Sequence, residues 1–333
     1  MEEMKKYMEI PRLGHKDTLD YFTQIASKGH NIRIGVKLDG ANGQIEVNNK
    51  GELLVYSRKN LLTEEMNLSG FYQYVKDKVD PTLLPKNIKI FGEWLVPHKI
   101  VYPKEAYKKF YIFSMYDSAK KEYISPDSNV YKNIEAYLVN HCGMEKEIVV
   151  YEGPYLGVQH IQDITNKLTK DDVEYTHQQP ATMEDVFHEG VVVKAHDYRD
   201  QYGNQLFVKI VGERFKEIKK VKYKEKTTGP DLSVEGKIVD FAVTEARIDK
   251  MLYKFVDEGI LPEDFDLEQM PIIAKNLPKR IYEDIMKEEL DTINEEFGEF
   301  DPKLIGKKIA SKTMTVAKNI IKEKIEQRVS KLT

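Results

Sequence analysis

Three short apolar runs each carry a single lysine: Lys37 closes Ile32-Arg33-Ile34-Gly35-Val36-Lys37, Lys194 closes Gly190-Val191-Val192-Val193-Lys194, and Lys209 sits within Leu206-Phe207-Val208-Lys209-Ile210-Val211. Their β-branched and aromatic content predicts strands. A lysine in a mostly buried strand loses hydration of its ammonium form, which is costly unless an anionic group lies close. A chain of this kind must therefore gather carboxylates between its strand lysines. The first run is followed by Asp39 and Gly40, so Lys37-Leu38-Asp39-Gly40 puts an amine at a strand end with an acid and a turn residue directly after it. A desolvated amine in that setting is suited to covalent catalysis as a nucleophile.

Other elements follow in order. Leu19, Phe22 and Ile25, with Gly29 beyond, predict an amphipathic helix over 17–28. Runs 44–47 and 52–58 flank the Asn48-Asn49-Lys50-Gly51 turn and predict a hairpin, from which Arg58 emerges near the end of the Lys37 strand. A helical pattern over 61–79 stops at Pro81. Glu93 is the one acid in the apolar strand 88–96, where burial demands a partner. The aromatic-rich strand 109–117 contains Phe113, a residue type usually found in cores. A further helix is expected over 129–139, and the second lysine-bearing strand over 187–195, which carries Glu189 ahead of Gly190.

At 333 residues and 41% hydrophobic content the chain can build one large core or two ordinary ones. No apolar run approaches the ~20 residues of a membrane helix, and the charged start Met1-Glu2-Glu3-Met4-Lys5-Lys6 leads into no signal-peptide stretch. Cys142 is the only cysteine, which excludes an intramolecular disulfide and a multi-cysteine zinc site and fits a reducing compartment. These features predict a soluble cytoplasmic monomer with no membrane partner. A net charge of −4 does not announce a nucleic-acid partner. The lysine-rich run 215–226, with interleaved aromatics, suits either a phosphate-tracking surface or a solvated linker. After Thr227-Thr228-Gly229-Pro230 the composition turns to helix formers. Ile238, Phe241, Ile248, Leu252, Tyr253 and Val256 predict a helix ended by Gly259, residues 271–297 two more, and Ile305, Ile309, Val316, Ile320 and Ile325 a stripe on a long terminal one. The expected boundaries are 1–226 for the first domain, 227–234 for a linker and 235–333 for a helical domain.

The ordered set Lys37-Leu38-Asp39-Gly40, Ser57-Arg58, Phe91-Gly92-Glu93-Trp94, Phe110-Tyr111-Ile112-Phe113, Glu189-Gly190-Val191-Val192-Val193-Lys194 and Phe207-Val208-Lys209-Ile210 resembles the motifs of the covalent nucleotidyltransferases: ATP-dependent RNA and DNA ligases and mRNA capping enzymes. The Phe-Gly-Glu form of the third motif, and a helical rather than β-barrel tail, are similar to RNA ligases of the bacteriophage T4 RNA ligase 2 type. The resemblance covers residues 1 to about 226 by motif and the tail by architecture. It implies an α+β fold, an antiparallel-sheet, ATP-grasp-like adenylation domain followed by a smaller all-helical C-terminal domain.

The resemblance also implies a reaction. Lys37 would attack the α-phosphorus of ATP and release pyrophosphate, the lysyl-adenylate would pass to a 5′-phosphate, and a 3′-hydroxyl would displace AMP, in the service of RNA repair. Lys194 and Lys209 would face the same phosphate, and Glu189 would hold Mg2+ or Mn2+. Arg58 and Glu93 would grip the ribose or the substrate phosphate, Val36 would border the nucleotide, Phe113 would stack on adenine, and Asp39 and Gly40 would shape the turn behind the nucleophile. The implied partners are RNA strand ends in a nicked duplex, a broken RNA or an RNA/DNA hybrid, in the host cytoplasm if the source is a phage. Two departures stand out. Val211 occupies the position where such ligases often carry a second lysine, so that either one phosphate contact is missing or Arg214 or Lys216 supplies it, and Ser114 replaces the acid that can follow the stacking aromatic. The alternatives are an ATP-dependent DNA ligase or a guanylyltransferase and, from a different class, a nucleic-acid-binding module that has lost catalysis.

Overall fold

Alternating runs from 31 to 211 assemble into two antiparallel sheets, followed by a bundle of helices. The computed structural model describes residues 6–14, 16–98, 100, 102–168, 189–211 and 233–330. The chain divides into two compact units, Met1–Arg214 and Phe215–Thr333. Residues 187–188 of the expected second lysine-bearing strand, Arg214, Lys216, the lysine-rich run 215–226 and residues 227–232 of the expected linker at 227–234 lie outside the described residues.

The first sheet joins β1 (Asn31–Lys37), β8 (Val149–Pro154), β9 (Gly190–Lys194) and β10 (Phe207–Val211) in the order β10-β9-β1-β8. A short N-terminal segment covers the outer edge of β10: the Leu13 N–H donates to the Lys209 carbonyl at 2.9 Å, and the Lys209 N–H to the Pro11 carbonyl at 2.9 Å. Such cover removes an unpaired strand edge. The second sheet runs β3-β2-β4-β5-β6, from β2 (Ala41–Val47), β3 (Leu53–Ser57), β4 (Ile88–Trp94), β5 (Phe110–Asp117) and β6 (Glu122–Tyr123), with β7 (Glu145–Lys146) parallel to β5.

Period-two alternation sorts the second sheet's side chains between two faces. Ile45, Val55, Ile90, Trp94 and Ile112 pack with Phe71 and Val75 of α2 (Phe71–Lys78) and Ile134 and Leu138 of α3 (Asn129–Cys142) in the main core. The opposite face turns Phe91 and Tyr116 toward Phe207 and Val192 of the first sheet, with Tyr7 between them. This second cluster brings the two motif-bearing faces together. Flanking helices α1 (Lys16–Ser27) and α4 (Val158–Lys167) complete the unit.

Three local differences from the sequence expectation have physical causes. The pattern over 61–79 is helical only from Phe71, because Leu68, Ser69 and Gly70 carry φ of 50, 53 and 91° and so turn left-handed. Strand β2 begins at Ala41, earlier than its apolar pattern suggested, since it continues directly from the Gly40 turn. Strand β8 was not foreseen at all. The expected hairpin is present, its turn held by the Asn48 side chain, which accepts the Lys50 and Glu52 N–H groups at 3.0 and 2.9 Å.

The second unit contains α5 (Val234–Ala242), α6 (Glu245–Asp257), α7 (Met270–Glu288), α8 (Leu290–Phe297) and α9 (Pro302–Ser330). Thr244 divides the single helix expected over 238–256, because its hydroxyl caps α6 by accepting the Arg247 N–H at 3.3 Å. Helix α9 buries Ile305, Ile309, Ala317, Ile320 and Ile321, whereas Val316 and Ile325 of the expected stripe are half-buried. Among the described residues, no helix is long and apolar enough to cross a membrane.

Candidate active site

Strand register decides which side chains share the lysine face. Lys37 lies opposite Gly190, Gly35 opposite Val192 and Arg33 opposite Lys194. On the other side of β9, Lys194 pairs with Phe207, Val192 with Lys209 and Gly190 with Val211. Alternation therefore puts Lys37, Lys194, Lys209 and Arg33 on one face, the face that meets the second sheet through Val192 and Phe207. Val36 points the other way and is buried, and its N–H donates to the Ile148 carbonyl at 2.8 Å. Val36, expected to border the nucleotide, therefore offers no side chain to the lysine face.

The three lysines occupy different environments. Lys37, with its side chain 25% exposed, is ion-paired with the Glu189 carboxylate, which is 6% exposed. Lys194 stands two same-face steps away, about 13 Å along the strands, and its side chain is 1% exposed. Its ammonium donates to the Phe113 carbonyl at 2.6 Å, lies 5.5 Å from the Phe113 ring centroid and pairs with Glu147. Burial pushes the Lys194 pKa down, Glu147 opposes that fall and Arg33 adds to it. The ammonium of Lys194, expected to face the same phosphate as Lys37, is held here at the wall behind Phe113. Lys209, half-buried on the Gly35–Val192 rung, is the nearer in register to Lys37. Val211 falls on the Lys37–Gly190 rung itself, so the place of the absent second lysine is filled by a buried apolar side chain.

Gly190 makes that rung possible. Its φ is +148°, and a Cβ there would overlap the Ile210 carbonyl oxygen and lie 2.9 Å from the Val211 Cα. Backbone cannot swing aside as a side chain can. Gly190→Ala is expected to cost about 1–3 kcal/mol, seen as a lower urea midpoint at unchanged slope. A midpoint equal to that of the wild type would contradict this reading of the rung.

The second sheet supplies the opposing wall. The Gly40 N–H donates to a Glu93 carboxylate oxygen at 3.1 Å, and the Asp39 N–H to the Tyr102 hydroxyl at 3.0 Å. The Asp39 carboxylate accepts the Ile100 N–H at 2.9 Å and lies 3.6 Å from His98 Nδ1. Burial alone would raise the Asp39 pKa, but His98, the Ile100 N–H and Lys37 outweigh it and hold the carboxyl below its usual range. The turn after Lys37 is thus pinned by Glu93 and by the segment that carries His98, Ile100 and Tyr102. Phe113 is the extra residue of a bulge, since Phe91 pairs with Ser114 and Gly92 with Ile112. Its ring is half-buried and 4.9 Å from that of Tyr7. Arg58 is exposed one residue past the Gly43–Ser57 pair, beside the start of β2.

Glu147 is the residue that sequence reading missed. Its carboxylate, 6% exposed, pairs with Lys194 and lies 3.6 Å from Arg33 Nε. It reaches them across Gly35, where a Cβ would overlap it. The β-branched and aromatic run Ile148-Val149-Val150-Tyr151, directly after Glu147, carried a strand signal that would have placed it near the sheet. Only the register shows which cations it meets.

Comparison with known proteins agrees with this geometry. The family model for RNA ligase matches residues 31–211, more than half of the chain. The chain belongs to the RNA ligase family. The RNA ligase match opens at β1 and closes at β10, so it takes in both sheets and every lysine and acid described above, and leaves the helical unit outside. Among solved structures, the Naegleria gruberi RNA ligase with PPi aligns at 16% identity and a TM-score of 0.39, over 64% of this chain and 57% of that one. A mutant of the same enzyme with ATP and Mn aligns at 15% identity and a TM-score of 0.42, covering 64% of this chain and 56% of that one. Another, with AMP and Mn, gives 15% identity and 0.42, covering 64% and 57%. The chain thus spans less than two thirds of the length of these relatives. A search of curated proteins gave no match.

Proposed function

We propose that this chain is an ATP-dependent RNA ligase of the T4 RNA ligase 2 type, joining 5′-phosphate and 3′-hydroxyl RNA ends in repair through a lysyl-AMP intermediate on Lys37. The reading rests above all on one observation: Lys37, within the family-matched span, ends its strand partly open to solvent and paired with the buried Glu189. In the first step the Lys37 ammonium gives up a proton to solvent, to which its side chain is 25% exposed, and the neutral Nζ bonds to the α-phosphorus of ATP as the bond to pyrophosphate breaks. Glu189 orients the amine. Lys209 offsets charge on the transferring phosphoryl group, which is where most of the barrier lies in such reactions. Phe113 offers its half-exposed ring to the base, and Glu93 and Arg58 flank the turn for the ribose or the incoming 5′-phosphate. The adenylate then passes to the RNA 5′-phosphate, and the 3′-hydroxyl displaces AMP.

Magnesium or manganese fits this site as a visitor carried by the nucleotide. Among the described residues no three His, Cys, Asp or Glu side chains cluster as ligands, and Glu189 is the carboxylate paired with Lys37. A hard divalent ion is satisfied by one or two carboxylates together with phosphate oxygens and water. When bound, it would neutralise charge on the phosphates. We place the reaction in a reducing cytoplasm, with the protein acting as a monomer; the buried, free Cys142 agrees with that compartment.

The test is a chase. Incubated with α-labelled ATP and magnesium, the protein is expected to take up label and to pass it to a 5′-phosphate strand, sealing best where RNA supplies the 3′-hydroxyl. Labelling from GTP instead, or preferential sealing of an all-DNA nick, would overturn the assignment.

A further inference from the structure

Arg33 and Lys194 are directly opposite one another on adjacent strands, on the face that carries Lys37. Like charges in that relation repel, and Lys194 has almost no access to solvent. The carboxylate of Glu147 is the anion placed between them, reached over a strand position where only glycine leaves room. Lys194 in turn donates to the backbone carbonyl of Phe113, the bulge residue that carries the proposed base platform. A chain of contacts therefore runs from Glu147 through Lys194 to Phe113, within the first sheet and across to the second. Its middle member, Lys194, stands two same-face steps from Lys37.

We infer that Glu147 is a positioning residue for nucleotide binding: acting through Lys194, it holds the Phe113 platform in place without touching the reacting atoms. The inference deepens the ligase reading and rests on it. Loss of the carboxylate removes the anion between the two facing cations; Arg33 keeps Glu152 at 3.3 Å, but Lys194 loses its pair, so its ammonium either leaves its place at the Phe113 carbonyl or gives up its proton. The platform then loosens, and ground-state binding of ATP weakens. The chemical step, carried by Lys37 and Glu189, is left nearly as it was.

The experiment measures the KM for ATP and the rate at saturation of self-adenylation in the full-length protein. Glu147→Gln keeps the size of the side chain and removes its charge. It is expected to raise KM about tenfold while changing the saturating rate less than about threefold, the pattern of lost binding rather than lost chemistry. Its KM should also climb further as pH rises, because Lys194, without its carboxylate, loses its proton at lower pH than in the wild type. Lys194→Met should raise KM similarly, and the double variant Glu147→Gln/Lys194→Met no more than either alone. That double variant buries no unpaired cation at position 194, so it carries the test if Glu147→Gln fails to fold. An unchanged KM in a folded variant, a loss confined to the saturating rate, or additive effects would overturn the inference. Failure of the wild type to take up AMP would instead remove the ligase reading beneath it.

Discussion

Lys37→Ala is expected to take up no label from α-labelled ATP, a loss of at least about a thousandfold in adenylate formed, because removing a covalent nucleophile removes the step itself. The variant also removes the Lys37 ammonium that pairs with the buried Glu189 carboxylate. Loss of a buried acceptor's partner costs about 1–3 kcal/mol, so lost labelling alone would not separate chemistry from folding. Lys37→Arg makes the separation. Its guanidinium preserves a cation for Glu189 and stays protonated at any working pH, so it cannot attack phosphorus. The arginine variant is expected to melt close to the wild type and still take up nothing. Labelling by either variant would move the nucleophile elsewhere.

The second large effect lies in the helical unit and concerns stability. Arg247 is fully buried on α6, with its guanidinium paired with Asp284, bonded to Glu289 at 2.7 Å and to the Ala242 carbonyl at 3.0 Å. Arg247→Ala removes the guanidinium that two acids share, one of them buried, and is expected to lose about 3–5 kcal/mol. Urea unfolding followed by a probe in the helical unit is the measurement, since two compact units need not unfold together. Replacing Arg247, Asp284 and Glu289 together with apolar residues of similar volume should recover most of that loss, because desolvating the ions offsets much of what their pairing contributes. An Arg247→Ala midpoint within error of the wild type would contradict the assigned role of the cluster.

The sequence was informative wherever a residue's role depends on its own strand. Lys37, Glu189, Lys194 and Lys209 are visible as charges in apolar runs, and the expectation that carboxylates must lie among the buried lysines is met by Glu189 and Glu147. What stayed hidden depends on pairing between distant strands. Glu147 acquires its meaning only when β8 is laid against β1, and Gly35 is glycine because a side chain from another element crosses it. The same holds for Val36, whose place beside Lys37 in sequence puts its side chain on the opposite face of the sheet. The departure at Val211 reads differently once the register is known, because the valine is in line with Lys37 and Gly190 rather than off the site. In the tail, helical periodicity predicted the right class of structure, but Thr244 ends one helix and caps the next, and a run of apolar residues does not announce such a break.

The most direct test of the central claim is to find where AMP attaches. Wild-type protein incubated with ATP and magnesium, digested near neutral pH and mapped by mass spectrometry, is predicted to carry a single AMP on the peptide containing Lys37, through a bond that acid cleaves. AMP on another residue, or no adduct from ATP under conditions in which the protein is folded, would contradict it.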